Sequence, residues 1–522
     1  MAKNREQWGT KIGLVLAMAG NALGLGNFLR FPVQAATNGG GSFMIPYFIA
    51  FILLGIPLMM VEWSIGRYGG KYNHGSLPGM FDVMWKNKVA KYFGMLGLFS
   101  SIAILIYYTY IESWSLGYSF FSITQSYFGL ESFGEMQNFL TSYQGLNTSY
   151  FSSIWTAYGF LLVTFGLNFY FLYRGINKGI EKLALIAMPA LFIFAFIIMI
   201  AVFFIGTPDP VNHPDWNVMA GFKYIWEPDF SQLGNAKVWL AAAGQIFFTL
   251  SVGMGTLSAY ASYLKEKDDI ALGSVATASL NEFAEVIFGG SIAIPIAVAF
   301  FGLTQTQDIA AGGAFNLGFV SLPLIFQHLP FGQVLGFLWF LLLFIAGITS
   351  SVAMAQPLIS FIEEQFNVSK KRATAIVGLG TFAAVNLVVF FFQFGFLDEM
   401  DYWSGTFMLV IIALIEVIVF AWIFGMDKGW QELNKGALIK IPKVYYFIIK
   451  YITPAYLLVI LIVWTIQDAI PILLMDGINP EQVPYRWLSR GLMIGLMVIL
   501  SILIHFAWKR NKNRQAQKMM EE

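Results

Sequence analysis

Residues 20–27 read Gly-Asn-Ala-Leu-Gly-Leu-Gly-Asn, and they interrupt the first long apolar segment of the chain near its middle. Residues 248–255, which read Phe-Thr-Leu-Ser-Val-Gly-Met-Gly, interrupt the sixth such segment. Unwound backbone at mid-membrane depth survives only where its N–H and C=O groups face protein, water or a ligand. Close packing of small residues would explain either stretch alone. The two together favour a binding site, because paired Gly-interrupted spans in two halves of a chain are typical of transporters.

The composition places both stretches in a membrane protein. Hydrophobic residues make up 57% of the 522 residues and charged residues only 12%, whereas a soluble domain has about 25% charged residues. The net charge of +1 gives no indication of nucleic-acid binding. The sequence has no Cys, and its four His are scattered, so it offers neither thiol chemistry nor a His or Cys metal cluster. These features argue against an enzyme.

Twelve apolar stretches are long enough to cross a bilayer, for which a helix needs about 20 residues. They lie at 12–36, 42–68, 91–122, 153–173, 180–206, 238–263, 271–301, 333–362, 373–393, 403–424, 445–467 and 487–508. The sequence therefore predicts an all-α integral membrane protein with twelve transmembrane helices, of which the first and sixth are broken. The first stretch follows a short basic N-terminus without a cleavage site, so we expect a retained span rather than a signal peptide.

Basic residues identify the cytoplasmic side of the predicted topology. Connections rich in Lys and Arg, such as 86–91, 370–372 and 509–514, alternate with connections that are poor in basic residues and contain acidic ones. Both termini therefore belong on the cytoplasmic side, which requires an even number of spans. We expect a multi-pass protein of the cell (inner) membrane, in contact with membrane lipids.

Two further spans carry oxygen ligands at mid-depth. Span seven has Asn281 and Glu285, which lie four residues apart on one helix face. Span eight has Thr349 and Ser350 at its centre. Amide and hydroxyl oxygens, together with freed carbonyl groups, suit a hard monovalent cation. An isolated Ser or Thr more commonly bonds to its own helix, but four oxygen-rich patches on four spans favour an ion site.

The sequence resembles the neurotransmitter:sodium symporter family. Residues 19–32, Ala-Gly-Asn-Ala-Leu-Gly-Leu-Gly-Asn-Phe-Leu-Arg-Phe-Pro, are similar to the first-helix signature of that family, and residues 245–251, Gln-Ile-Phe-Phe-Thr-Leu-Ser, to its sixth helix. The resemblance covers nearly the whole chain and is strongest to the bacterial leucine transporters. It implies a LeuT-type 5+5 inverted repeat, with helices 1–5 in residues 1–206, helices 6–10 in 207–424, and helices 11 and 12 with the C-terminal tail in 425–522.

The resemblance implies two Na⁺ sites beside an amino-acid substrate. The first ion would bind the substrate carboxylate, the Ala22 carbonyl and the side chains of Asn27, Thr249 and Asn281. The second would bind the carbonyl groups of Gly20, Leu23 and Ala346 and the hydroxyl groups of Thr349 and Ser350. Because the substrate carboxylate completes the first site, the affinities for Na⁺ and amino acid must be coupled in both directions.

The substrate pocket of the family maps to a largely apolar set: Asn21, Ala22, Leu25, Gly26, Ile104, Tyr108, Phe248, Thr249, Ser251, Met254, Ser350 and Met354. A charged substrate side chain would find no Asp, Glu, Lys or Arg there and would enter at a large desolvation cost. We therefore expect a neutral, hydrophobic, leucine-like substrate. Ile104, Met254 and Met354 stand where the pattern has Val, Phe and Ile, and adaptable Met side chains put a strict leucine preference in doubt.

The resemblance also implies gates on both sides of the pocket. On the outer side, Arg30 and Asp401 would approach one another above a lid formed by Tyr108 and Phe248. On the inner side, the implied residues are Arg5, Glu364, Ser262, Tyr263 and Gln356. A surface salt bridge of little energetic value is the alternative interpretation of Arg5 with Glu364.

Glu285 is a functional candidate because a carboxylate inside a membrane span costs roughly 2.5–3.5 kcal/mol on insertion scales. Chloride-dependent animal members of the family have a neutral residue at this position and bind Cl⁻ beside it. Glu285 would supply that negative charge itself, near Tyr47, Gln245 and Thr249, so no chloride requirement is expected. Structural hydrogen bonding is expected for the other embedded carboxylates, Glu62, Glu112 and Glu416.

Together these features predict a Na⁺-coupled symporter that imports neutral hydrophobic amino acids by alternating access. The alternative is a proton-coupled amino-acid carrier of the same fold, which would more naturally place Lys or Arg where this chain has Thr349 and Ser350. A channel would need rings or repeated filters, which the sequence lacks. No nucleic-acid partner is expected. The preferred amino acid, proton counter-transport and a homodimer stay open.

Overall fold

The structure is a computed structural model that describes residues 6–521, without the side chains of residues 511–521. The described residues form helices joined by turns and contain no strand. The helices, in chain order, are α1 Lys11–Ala22, α2 Gly26–Thr37, α3 Gly41–Gly70, α4 Leu77–Met84, α5 Ala90–Ile123, α6 Phe133–Tyr143, α7 Trp155–Arg174, α8 Ile176–Phe203, α9 Val218–Trp226, α10 Ala236–Thr249, α11 Thr256–Ala261, α12 Ile270–Ala311, α13 Asn316–Phe326, α14 Gly332–Phe366, α15 Lys370–Phe394, α16 Phe396–Ile423, α17 Met426–Asn434, α18 Val444–Leu473 and α19 Val483–Glu521.

Ten helices in the described part of the chain are long and apolar enough to cross a membrane. An eleventh span results if α1 and α2, which are bent by 49° at their junction, count as one. At the place of the predicted sixth span, α10 and α11 have only 14 and 6 residues. The protein is therefore a multi-pass membrane protein, and the number twelve stays a prediction.

The first interruption separates α1 from α2. The hydroxyl of Thr10 caps α1 by accepting from Gly13 N at 2.9 Å, and α1 ends at Ala22 because Leu23 has an extended backbone (ψ 96°). The free N–H of Gly24 donates to the Asn27 side chain at 2.8 Å. A Cβ atom on Gly24 would lie 2.8 Å from the Tyr108 hydroxyl, so a larger residue in this turn would have to displace that side chain.

The second interruption, residues 250–255, separates α10 from α11. Positive φ angles occur at Ser251 (52°), Gly253 (77°) and Gly255 (71°), which no helix can include. A Cβ atom on Gly253 would also lie 2.3 Å from the Leu409 carbonyl oxygen of α16. Each of the two stretches thus contains residues outside helical geometry, Leu23 in the first and Ser251, Gly253 and Gly255 in the second.

Burial separates central helices from peripheral ones. In the most apolar segments of α5 and α14, 94% and 78% of the residues are buried. These two helices also contact one another more extensively than any other pair of helices in the described part of the chain. In α7, α8, α15, α18 and α19, the buried share is at most 33%. The peripheral helices thus present apolar surface outward, and the two interruptions lie in the interior beside α5 and α14. Helix α12 extends past the predicted end at residue 301 because it restarts after a kink at Gly302 (φ 73°).

Candidate functional site

The side chains predicted for the first ion meet in the interior. The Asn27 amide nitrogen donates to the Thr249 hydroxyl at 2.8 Å and to the Asn281 amide oxygen at 2.9 Å. The Asn281 nitrogen in turn donates to the Thr249 hydroxyl at 2.9 Å. All three residues are at most 1% exposed. We call these three residues the first oxygen cluster; it joins the α1–α2 interruption to α10 and α12.

Glu285 closes the first oxygen cluster on one side. Its carboxylate accepts from Asn27 at 2.8 Å, Gln245 at 2.8 Å and the Tyr47 hydroxyl at 3.0 Å, and it also accepts from the Thr249 hydroxyl. Glu285 itself is fully buried. The structure therefore brings together Glu285 and the neighbours that the sequence assigned to it, as a buried carboxyl group held by several donors.

The residues predicted for the second ion also converge. The Ser350 hydroxyl lies 3.2 Å from the Gly20 carbonyl oxygen, 3.3 Å from that of Leu23 and 3.2 Å from that of Ala346. The Thr349 hydroxyl lies 3.1 Å from the same Ala346 oxygen. We call these five residues the second oxygen cluster. It contains only oxygen ligands, and its hydroxyl groups bond to carbonyl groups of both α14 and the interruption.

The predicted substrate pocket lies between the two interruptions. The Ser251 hydroxyl donates to the Asn21 carbonyl at 2.9 Å, which joins them directly. The Tyr108 hydroxyl accepts from Leu25 N at 2.9 Å. The half-buried Phe248 ring lies so close to Gly26 that a Cβ atom there would be 2.5 Å from it. The remaining predicted pocket residues, Ala22, Ile104, Met254 and Met354, are at most 3% exposed.

The outer-gate residues have partners that the sequence did not reveal. The Arg30 guanidinium lies 4.5 Å from the centre of the Phe248 ring, which is a cation–π contact. Asp401 accepts from the Tyr107 hydroxyl at 2.6 Å. No ion pair within 4 Å joins Arg30 to Asp401 in the described chain, so their approach across the vestibule stays a prediction. Tyr107 is the neighbour of the predicted lid residue Tyr108, which is the only sequence signal for it.

Of the predicted inner-gate residues, Gln356 and Tyr263 are joined directly, and Arg5 lies outside the described residues. Gln356 donates to the Tyr263 hydroxyl at 3.0 Å and to the Ser360 hydroxyl at 2.9 Å. Glu364 accepts from Gly75 N at 2.8 Å. The hydroxyl of Ser262, the remaining predicted inner-gate residue, donates to the carbonyl oxygen of Ala259, three residues earlier.

An N-terminal strap, residues 6–10, is bound to the start of α8 by two carboxylates that the sequence reasoning missed. Glu181 accepts from Gly9 N at 2.7 Å and from Thr10 N at 2.9 Å. Glu6 accepts from Ile176 N at 2.9 Å and from Lys370 at 2.6 Å. Burial raises the pKa of Glu6, but Lys370 and the Ile176 N–H more than offset this effect and hold the pKa below its ordinary value. The available signal was an acidic residue in a connection rich in Lys and Arg.

A second missed group supports the centre of α14. Asn168 of α7 donates to both carboxylate oxygens of Glu112, at 3.0 and 3.1 Å. Its own amide oxygen accepts from Ser351 at 2.6 Å. A Cβ atom on Gly347 would lie 2.7 Å from Glu112. Glu112 is therefore hydrogen-bonded, as expected, and with Asn168 it fixes the helix turn that carries the second oxygen cluster.

Known proteins share this architecture. The model of the family described as "Sodium:neurotransmitter symporter family" matches residues 5–132 and 136–511. An uncharacterised sodium-dependent transporter of Methanocaldococcus jannaschii, MJ1319, is 32% identical over 87% of this chain and 89% of its own length. One of Haemophilus influenzae is 28% identical over 88% and 98%, respectively. The crystal structure of MhsT in complex with L-phenylalanine superposes with a TM-score of 0.74 at 26% identity, and the match covers 88% of this chain and 99% of that chain.

Proposed function

Because the chain belongs to the sodium:neurotransmitter symporter family, and is thus a sodium-dependent transporter of a small molecule rather than an enzyme, we propose that it imports neutral, hydrophobic amino acids together with Na⁺ by alternating access. The observation that carries this proposal is that both oxygen clusters attach to the single interruption between α1 and α2. The resemblance to a phenylalanine-bound structure supports an amino-acid substrate.

Two Na⁺ ions are proposed as co-substrates. The first would bind among Asn27, Thr249 and Asn281, with the Ala22 carbonyl and the substrate carboxylate, and the second in the second oxygen cluster. The protein supplies only neutral oxygen ligands to both sets, which suit a hard monovalent ion. The amide nitrogen of Asn27 donates to the other two side chains, so presenting its oxygen to a cation requires rotation of that amide group.

We further propose that transport needs no chloride. Glu285 is fully buried, and its donors Asn27 and Thr249 belong to the first oxygen cluster. A fixed carboxylate within hydrogen-bonding distance of Asn27 and Thr249 supplies the negative charge that a cation in a low-dielectric interior requires. An added anion would therefore be superfluous.

The substrate preference is proposed from the pocket walls. No Asp, Glu, Lys or Arg is among the predicted pocket residues, so an acidic or basic substrate side chain would be buried without a partner. Met254 and Met354 are both buried at that site. Because an unbranched Met side chain adapts to irregular spaces, we propose that several mid-sized neutral amino acids bind with similar affinity.

The proposed topology has twelve spans, in which α1–α2 and α10–α11 each form one broken helix, arranged as two inverted repeats of five. The distribution of Lys and Arg supports cytoplasmic termini and a cell (inner) membrane location. Half-helices that meet at mid-membrane place partial positive N-terminal ends toward the substrate carboxylate. Alternate opening of the two sides would then involve both interruptions.

Uptake into proteoliposomes tests the proposal. Labelled leucine should accumulate with external Na⁺ and should not accumulate when K⁺ replaces Na⁺ at fixed pH. Asn27→Ala should weaken Na⁺-dependent binding by about tenfold or more, because a charge-assisted contact is worth about 1.5–3 kcal/mol. A variant outside the clusters, Asn386→Ala, should retain wild-type binding. Full uptake in K⁺ with dependence on a pH gradient would instead establish the proton-coupled alternative.

A further inference from the structure

A cavity of about 860 Å³ opens at the end of the molecule that carries the basic connections. Its walls come from the segment after α4, with Lys86 and Lys88, from the first turn of α5, with Lys91, and from the last described side chains of α19, with His505 and Lys509. The cavity is thus formed by segments far apart in sequence. Its wall also includes His74 and Gln365, which are next in sequence to Gly75 and to the inner-gate residue Glu364.

The charge of the cavity is strongly positive. Four Lys side chains line it, and the single carboxylate in its wall, Asp82, already accepts from Trp508 Nε1 at 2.9 Å. Across the described residues, no carboxylate lies within 4 Å of the ammonium group of Lys86, Lys88, Lys91 or Lys509. Four like charges with a single carboxylate among them repel one another, so an anion would stabilise this arrangement.

Aromatic and apolar side chains complete an amphipathic site. The Lys91 ammonium lies 5.2 Å from the Trp508 ring centre and 5.5 Å from that of Tyr92, which positions it by cation–π contact. Phe93 of α5, two residues after Lys91, and Phe506 of α19, next to His505, are 39% and 58% exposed. Both belong to helices long enough to cross the membrane, so their exposed rings are available to lipid acyl chains.

We propose that this cavity binds the phosphate headgroup of an anionic membrane phospholipid, whose acyl chains lie against the exposed apolar side chains of α5 and α19. Basic pockets between transmembrane helices on the cytoplasmic side bind such headgroups, and the proposed topology puts this end of the molecule there. A zwitterionic headgroup would bring its own cation toward the four Lys side chains. A phosphate solute would gain nothing from the adjacent apolar surface. The lipid would join the α4–α5 connection to α19.

Native mass spectrometry of the full chain with added phosphatidylglycerol or phosphatidylcholine tests the proposal. Phosphatidylglycerol should stay bound at least tenfold longer than phosphatidylcholine on collisional activation. The triple variant Lys86→Gln, Lys88→Gln and Lys509→Gln should remove this preference, because these side chains are exposed and can be changed without disturbing the core. The matched triple variant Lys428→Gln, Lys440→Gln and Lys443→Gln, also exposed, should keep it.

Two further measurements separate the sources of the phosphate group. Inorganic phosphate or glycerol phosphate at millimolar concentration should not displace phosphatidylglycerol; displacement by either would identify a solute site and overturn the proposal. Equal retention of both lipids, or an unchanged preference in the first triple variant, would also overturn it. Because none of these readouts uses transport, they fail or succeed independently of the proposed function.

Discussion

Replacing Glu285 by Ser should make transport depend on chloride. In the structure, the carboxylate of Glu285 accepts hydrogen bonds from Asn27, Gln245 and Tyr47 at 2.8, 2.8 and 3.0 Å. A Ser side chain at position 285 is shorter and uncharged, so it cannot reach all of these donors. The substitution therefore removes a negative charge and opens space for an anion beside the same donors.

The expected size of the effect follows from these contacts. A buried donor left without an acceptor costs about 1–3 kcal/mol. Asn27, like the fourth donor Thr249, also belongs to the first oxygen cluster, so we assign at least one such cost to Na⁺ binding. This corresponds to about 5- to 150-fold weaker Na⁺-dependent binding without chloride. Chloride should reverse most of the loss because it accepts from the same donors and restores the charge.

Binding of labelled leucine at graded Na⁺ concentrations, in chloride and in gluconate, measures this effect. The unaltered protein should give the same Na⁺ dependence in both salts, and Glu285→Ser should bind well only in chloride. Glu285→Gln is the matched control, because it is neutral but fills the space, so it should bind weakly in both salts. If the unaltered protein needs chloride, or if Glu285→Ser binds equally in both salts, Glu285 is not the charge that replaces chloride.

Three other perturbations test the remaining parts of the site. Thr349→Val combined with Ser350→Ala should weaken the dependence of leucine binding on Na⁺ by about tenfold or more, since each hydroxyl contributes about 1 kcal/mol; an unchanged Na⁺ titration would contradict the second site. Met254→Phe combined with Met354→Ile should reduce the number of amino acids, among the twenty, that compete with labelled leucine for binding, because one methylene of misfit costs about 1–3 kcal/mol against a rigid wall. An unchanged competition profile would show that the two Met side chains do not broaden the substrate range. Because the folded-state pKa of Glu6 is lowered from 4.5, its contacts are present above pH 4.5 and lost as the pH falls through the folded-state value. Amide exchange in the N-terminal strap should therefore rise at low pH beyond the intrinsic rate, and Glu6→Gln should raise it already at neutral pH; identical exchange in both proteins would exclude this role.

Local chemistry in the sequence indicated the two interruptions and the polar residues near them, whereas the full membership of both oxygen clusters was implied by the family resemblance. Gly-rich stretches at mid-span and isolated polar residues such as Asn27 and Asn281 are visible without a fold. Contacts between distant helices could not be predicted in this way. Asn168 looks like an ordinary polar residue of a peripheral span, and only the packing of α7 against α5 and α14 brings it to Glu112 and Ser351.

Both oxygen clusters act on the same stretch of backbone, which is a physical basis for coupling between them. The second cluster is bonded to the carbonyl groups of Gly20 and Leu23 through Ser350. The first cluster contains Asn27, whose side chain also accepts from Gly24 N. This stretch is only eight residues long, and its Gly24 position leaves little space for a side chain. A ligand that fixes one end therefore restricts the other, and by linkage each ligand must raise the affinity for the other by the same factor if both favour one backbone arrangement.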